Sequence, residues 1–230
     1  MSHRCLHALL LAFSLALAGP ALAKEQSVSP GINAPFENPT FQEWVERFEH
    51  EGREVYDKRE QIVEATGVQP GMVVADIGAG TGLFTRLFAT RVNSTGMVIA
   101  VDISKTFVEN ILRTTREQKL TNVQGVVGTP TDASLARESV DLAFVCDTYH
   151  HFEYPQAMLA SIYRALKPGG TLVIVDFKRT PGVSSSWILG HVRADMQTVI
   201  QEIEAAGFQL VEVKDFMRDN YFLRFIKKGS

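Results

Sequence analysis

Near pH 7 the side chain best suited to take up a proton is a neutral imidazole. The segment CDTYHHF, Cys146 to Phe152, offers two in succession, His150 and His151, beside Asp147 and Tyr149. Such a group could deprotonate an acceptor atom as it reacts, and at least one of Tyr149, His150 and His151 is expected to be catalytic or to hold substrate. Tandem histidines also raise the question of a metal. Neighbours at the end of a strand face different ways, and no third His, Asp or Glu stands at ligand spacing in the sequence. The expectation is therefore one working histidine, one structural histidine and no metal. Further on, ILGHVRAD adds His191 and Arg193 as candidate substrate-binding residues, the guanidinium suited to clamping a carboxylate or phosphate.

A second constellation lies upstream, where VVADIGAGTGLFT sets Asp76 ahead of Gly78, Gly80 and Gly82. Glycines let a backbone approach a ligand and adopt turns that a Cβ forbids. Asp102 closes the next apolar run, MVIAVDI, and its carboxylate could accept hydrogen bonds from both hydroxyls of a ribose. A dinucleotide fingerprint requires G-x-G-x-x-G/A. Here the spacing is G-x-G-x-G, Leu83 takes the place of the last small residue, and Asp76 would oppose a pyrophosphate. A phosphate-free ligand carrying ammonium and sulfonium charges fits better, and S-adenosylmethionine is such a ligand.

The elements that must position these groups are legible as periodicity. Phe41, Trp44, Val45 and Phe48 recur at helical spacing, and Val55, Ile62 and Val63 continue the pattern. Then MVVADI, MVIAVDI, VQGVV, VDLAFVCD and TLVIVDF read as short apolar strands separated by helical segments, with KPGG as a turn. Continuous apolar strands alternating with helices predict a Rossmann-like α/β fold: a doubly wound, mostly parallel sheet with helices on both faces. QLVEVKDF and YFLRFIKK add a closing antiparallel pair. In such a sheet, ligands sit beyond the carboxyl ends of the strands.

Taken in order, VVADIGAGTG, VIAVDIS, SVDLAFVCDTYHHF and ALKPGGTLVIVDF resemble the successive motifs of class I S-adenosylmethionine-dependent methyltransferases of small-molecule type, over most of Val73 to Ile226. The helical segment at about 40–66 is similar to that family's N-terminal cap. The resemblance implies S-adenosylmethionine as cofactor. Gly78, Gly80 and Gly82 would line its methionine part, Asp76 would organise the loop, Asp102 would hold the ribose and Ile103 would lie against the adenine. Asp147, ending the fourth strand, joins the cofactor-binding set. The family often places an Asp after its third strand. GVVGTPTDASLA has Thr129 there, with Asp132 as the substitute. Arg53, Tyr56 and Arg59 stand where they could cover the methionine end, although two of the three are expected to be ordinary surface.

Residues 1–23 carry a basic start at Arg4, an apolar run too short to span a bilayer comfortably, and Ala21-Leu22-Ala23 before Lys24. They read as a secretory signal, leaving one methyltransferase domain at 24–230 in the periplasm or secreted, with no stable membrane insertion after cleavage. Of 23 basic side chains only Arg4 leaves with that segment, so 22 face 26 acidic ones. An acidic chain is a poor partner for nucleic acid. The expected partner is a small-molecule methyl acceptor, and the oligomeric state is open. Cys5 also leaves, so Cys146 stands alone and an internal disulfide is excluded. The expected reaction is methyl transfer to a nitrogen, oxygen or sulfur nucleophile. A nicotinamide-dependent oxidoreductase and a non-catalytic cofactor-binding protein of the same fold remain the alternatives.

Overall fold

The computed structural model describes residues 25–229, and the expected secretory signal lies outside them. Each apolar run becomes a strand: β1 (Val73–Ile77), β2 (Met97–Asp102), β3 (Val123–Val127), β4 (Val140–Cys146), β5 (Leu166–Phe177), β6 (Phe208–Lys214) and β7 (Asn220–Lys227). They form one sheet in the order β3-β2-β1-β4-β5-β7-β6. The first five are mutually parallel, and β7 runs antiparallel to both β5 and β6. This is the doubly wound sheet with a closing antiparallel pair. Strand order reverses between β1 and β4, which puts the ligand-binding edge beyond Ile77, Asp102 and Cys146.

The apolar runs reflect burial on both faces. Val74, Ala75, Ala143, Phe144, Val173 and Ile174 are all fully buried in the central strands. One face is covered by α4 (Leu83–Val92) and the N-terminal helices, through Phe84, Phe88 and Val63. The other is covered by α6 (Pro155–Ala165) and α8 (Met196–Ala205), through Leu159, Ile162 and Ile203. Lys105–Glu117 forms α5 and packs on β2 and β3. The edge strand β6 differs: its burial alternates, and Val211 and Val213 stay exposed.

Two local readings change. KPGG is an irregular entry into β5 instead of a turn before it, with the β4 ladder shifting register between Val140 and Leu142. The N-terminal helical pattern is broken into α1 (Phe41–Phe48), α2 (Glu54–Asp57) and α3 (Arg59–Ala65), the first break falling where Gly52 takes a left-handed φ of 93° and the second at Lys58. The first break aims Arg53 at the sheet edge. Ahead of α1, residues 25–40 run along the loop after β4. Val28 N donates to Glu153 O at 2.9 Å and Asn33 Nδ2 donates to His151 O at 3.1 Å, bringing Phe36 over that edge. Ser186–His191 forms the short helix α7 on the opposite side.

Candidate active site

A cavity of about 590 Å³ runs across the carboxyl ends of β3, β2, β1, β4 and β5. The loop after β1 forms its floor. Gly78 N and Ala79 N donate to Val101 O at 2.8 and 3.0 Å, folding the loop back over β2. Gly78 has φ 72°, and a Cβ there would lie 2.1 Å from Thr148 Cγ2, so only glycine lets the β1 and β4 loops meet. Gly80 borders the cavity, with Phe48 as its nearest side-chain neighbour. Gly82 does not border it. It is the left-handed N-cap of α4 and faces Ile111, so its expected place against a cofactor is corrected to a structural one.

Asp102 is buried, and its Oδ2 accepts from Gly80 N at 2.9 Å while Oδ1 accepts from Ser104 N at 2.8 Å. Burial pushes its pKa up to about 6, the backbone N–H groups working against the rise. Asp76 accepts a 2.6 Å hydrogen bond from the Thr85 hydroxyl. Its pKa is raised to about 7, chiefly by burial, with a contribution from the charge of Asp102. Ile103 is 37 % exposed at the rim. Asp132 reaches the cavity wall, but its carboxylate is held by Arg164 at 2.8 Å and by Ser134 N at 2.7 Å. Each oxygen of Asp132 thus already holds one internal partner.

At the β4 end, Asp147 adopts φ 45° and its carboxylate joins Arg53, at 2.6 Å, to Asn220, also at 2.6 Å. Burial raises its pKa against the opposing charge of Arg53. Arg53 borders the cavity, whereas Tyr56 and Arg59 pair with each other away from it. Cys146 also borders it, its thiol pushed well up by burial and by Asp147.

The histidines depart furthest from expectation. Tyr149–His151 is one turn of 3₁₀-helix beyond the strand, so strand alternation does not apply. The rings of His150 and His151 lie 4.3 Å apart, and both residues border the cavity. His191, at the end of α7, places its ring 5.1 Å from His150 and 5.2 Å from His151. One ring nitrogen from each of the three lies within 4.8 Å of the others, which corrects the reading that no third ligand joins the pair. Trp187 stacks on His191 at 4.7 Å.

The three imidazoles differ electrically. His150 Nδ1 is 2.7 Å from Asp176 Oδ1, and His150 N donates to Asp176 Oδ2 at 3.0 Å. Burial alone would lower the pKa of His150, but the charge and hydrogen bond of Asp176 raise it on balance. Asp176, buried at the end of β5, is held low by that same partner despite burial. Burial and the two neighbouring rings push His151 down to about 3, and its Nδ1 is buried without a partner among the described residues. His191 is lowered by burial and by His150.

Tyr149 and Arg193 lie off the cavity. The Tyr149 hydroxyl donates to Glu202 at 2.7 Å, and Arg193 makes two bonds to the same carboxylate at 2.8 and 2.7 Å. Tyr149 is 1 % exposed, with its pKa pushed well up by burial and by Glu202. Their expected catalytic and substrate-binding places are corrected to a buried bracket between the β4 loop and α8.

Residues 75–174 match the family model described as a methyltransferase domain. Over these residues the chain is similar to a methyltransferase domain. Over 128 residues it is 34 % identical to the ubiquinone/menaquinone biosynthesis C-methyltransferase UbiE of Hydrogenovibrio crunogenus, covering 53 % of this chain and 48 % of that protein. The UbiE of Ectopseudomonas mendocina is 33 % identical over 125 residues, covering 52 % and 47 %. The chain thus spans about half the length of the curated relatives it matches. Among solved structures, an SAM-dependent methyltransferase from Aquifex aeolicus superposes with a TM-score of 0.74 at 21 % identity, covering 83 % of this chain and all of that one. The fold is that of S-adenosylmethionine-dependent methyltransferases.

The cofactor implied by a methyltransferase domain of this fold is S-adenosylmethionine, and the residues fit it. A Cβ-free loop at Gly78 and Gly80 and the buried carboxylates Asp76 and Asp102 converge on one part of the cavity. Two acids suit a cationic ligand, and Asp102 retains acceptor capacity beyond its two backbone bonds. The sequence reading missed the aromatic wall of the cavity, Phe36, Trp44, Phe48 and Phe107. The helical spacing of Trp44 and Phe48 was visible, but the face it presents is set by the break at Gly52. It also missed Asp176, for which the available signal was an acid ending an otherwise apolar strand.

Proposed function

We propose that the protein transfers a methyl group from S-adenosylmethionine to a small-molecule nucleophile. The observation that carries this reading is the continuity of one cavity from the Asp102 and Gly80 cradle to the imidazoles of His150, His151 and His191. Bound in the cradle, the cofactor supplies an electrophilic methyl group. The chain's own contribution is alignment, worth up to ~7 to 11 kcal/mol in favourable models, together with proton removal. Asp176 engages Nδ1 of His150 and leaves Nε2 as the free ring nitrogen. The cap residues Phe36, Trp44 and Phe48 give the cavity an apolar wall.

A screen of small thiols, phenols, hydroxylated quinols, amines and carboxylates for S-adenosylhomocysteine release tests the proposal. The quinols are included because the curated relatives are named as C-methyltransferases. Release with one acceptor class is expected. If the chain stabilises with NADH or NADPH and not with S-adenosylmethionine, the oxidoreductase reading replaces this one.

The reading extends to an exported compartment, supported by the short apolar run and Ala21-Leu22-Ala23 pattern at the N-terminus. Intact-mass measurement on cell fractions should find a chain beginning at Lys24. A full-length cytosolic species as the main product would overturn the exported reading alone.

A further inference from the structure

We propose that His150, His151 and His191 form a site for one divalent late first-row transition metal ion, with zinc as the type, whose open position takes the sulfur or oxygen anion of the methyl acceptor. The inference rests on reading this cavity as the acceptor end of a methyltransferase.

The donor set is three imidazoles brought together from two segments, the turn after β4 and the end of α7, with ring nitrogens within 4.8 Å of one another. Imidazole suits zinc, copper, nickel and iron, whereas magnesium and calcium require oxygen ligands. Three protein ligands with the fourth position facing a cavity is the arrangement of catalytic zinc sites. At a Zn–N distance of about 2.0 Å, tetrahedral nitrogens sit about 3.3 Å apart, so the rings must draw together. His191 is half-buried on a six-residue helix and is the ring with room to move.

The surroundings support a metal as much as the donors do. Asp176 holds Nδ1 of His150 and is itself fixed by the N–H groups of His150 and Phe177, the outer-shell carboxylate that orients metal-bound histidines. His151 Nδ1 is a buried polar atom with no hydrogen-bond partner among the described residues. Trp187 lies flat on His191, and Phe36 meets the edge of His151, so both rings have an aromatic neighbour. Asp147, the next nearest acid in the turn, is engaged by Arg53 and Asn220 and does not complete the set.

The same chemistry narrows the acceptor. Three neutral imidazoles leave the charge of a dication, which Asp176 offsets only in part, so an anionic ligand completes the balance. A coordinated thiol or hydroxyl releases its proton to water and keeps further lone pairs on the same atom. A coordinated amine has none left with which to attack. The site therefore selects thiols and acidic hydroxyl compounds over amines.

The test uses the untagged full-length chain, stripped of metal, dialysed against zinc chloride and assayed for bound metal, with cobalt(II) absorption as a second readout. One zinc per chain and a tetrahedral cobalt spectrum are expected. His191→Ala and His151→Ala should each abolish stoichiometric binding, and Asp176→Asn should weaken it about 10- to 100-fold. His50→Ala, an exposed histidine on the cap, should retain it. Sub-stoichiometric zinc in the wild type, or zinc retained when both His151 and His191 are replaced, overturns the site. Calorimetry with S-adenosylmethionine on the same samples separates the two ideas. Cofactor binding without zinc defeats the metal site alone, and zinc binding without cofactor defeats the methyltransferase reading on which it rests.

Discussion

His150 Nδ1 lies 2.7 Å from Asp176 Oδ1, with the two side chains only 4 % and 1 % exposed. The carboxylate at the end of β5 thereby sets both the backbone and the ring of the turn that follows β4. The tandem histidines are positioned by the neighbouring strand instead of by their own.

Removing one member of such a pair leaves the other buried and uncompensated, at a cost of about 3–5 kcal/mol. Asp176→Ala should lose stability on that scale in urea denaturation. Combining it with His150→Ala should cost less than the two single losses together, by roughly 0.5–3 kcal/mol. Strict additivity would mean that the pair is not coupled in solution.

Asp102 is engaged twice by backbone before any ligand arrives, through Gly80 N and Ser104 N. Asp102→Ala should therefore weaken S-adenosylmethionine binding about tenfold or more and also lower the melting temperature of the free protein. Asp102→Asn retains one acceptor oxygen and should fall between the two. Unchanged affinity by calorimetry in a folded variant would remove Asp102 from the cofactor site.

The parallel sheet and its ligand edge were legible because burial on both faces leaves continuous apolar runs, and because strand order fixes where Asp76, Asp102 and Asp147 emerge. What was not legible depends on geometry between distant segments. No local pattern links His191 to His150 and His151, since their meeting depends on the path from β5 into α7. Tyr149 and Arg193 have side chains suited to catalysis, yet Glu202 on α8 draws both away from the cavity. Gly82 shares the spacing of Gly78 and Gly80, but the helix start turns it toward Ile111.

The glycines should accordingly separate by readout. Gly78→Ala drives a Cβ to 2.1 Å from Thr148 at a φ of 72° and should impair folding itself. At Gly80, where a Cβ meets Phe48 no closer than 3.7 Å, alanine pays mainly for its left-handed backbone, about 1–2 kcal/mol. Gly80→Val would reach into the cavity and should lose cofactor affinity beyond its loss of stability. Thermal melts and calorimetry on both variants check the contrast.

Tyr149→Phe removes a hydrogen bond to an ionised partner in a buried bracket, worth about 1.5–3 kcal/mol. It should lower stability while leaving S-adenosylmethionine affinity at the wild-type value. Arg193→Ala should behave likewise. If either variant lost turnover on an identified acceptor without loss of stability, the bracket assignment would be wrong.

The final prediction concerns pH and follows from the two raised acids. Asp76 has an ordinary value of 3.8 and is lifted to about 7 in the folded chain, so folding favours its protonated form. Its contribution is fully present below about pH 3.8 and is lost as pH rises through about 7. For the free protein, the loss amounts to up to about 4 kcal/mol. Stability should therefore decline between about pH 4 and about pH 7 more steeply in the wild type than in Asp76→Asn. A ligand carrying ammonium and sulfonium charges favours the ionised acid, so its affinity should move the opposite way, rising with pH as Asp102 and then Asp76 lose their protons near 6 and 7. In Asp76→Asn the upper part of that rise should vanish, leaving only the step near pH 6 from Asp102. Calorimetry across the range distinguishes this from a neutral ligand, for which affinity would stay flat in both proteins.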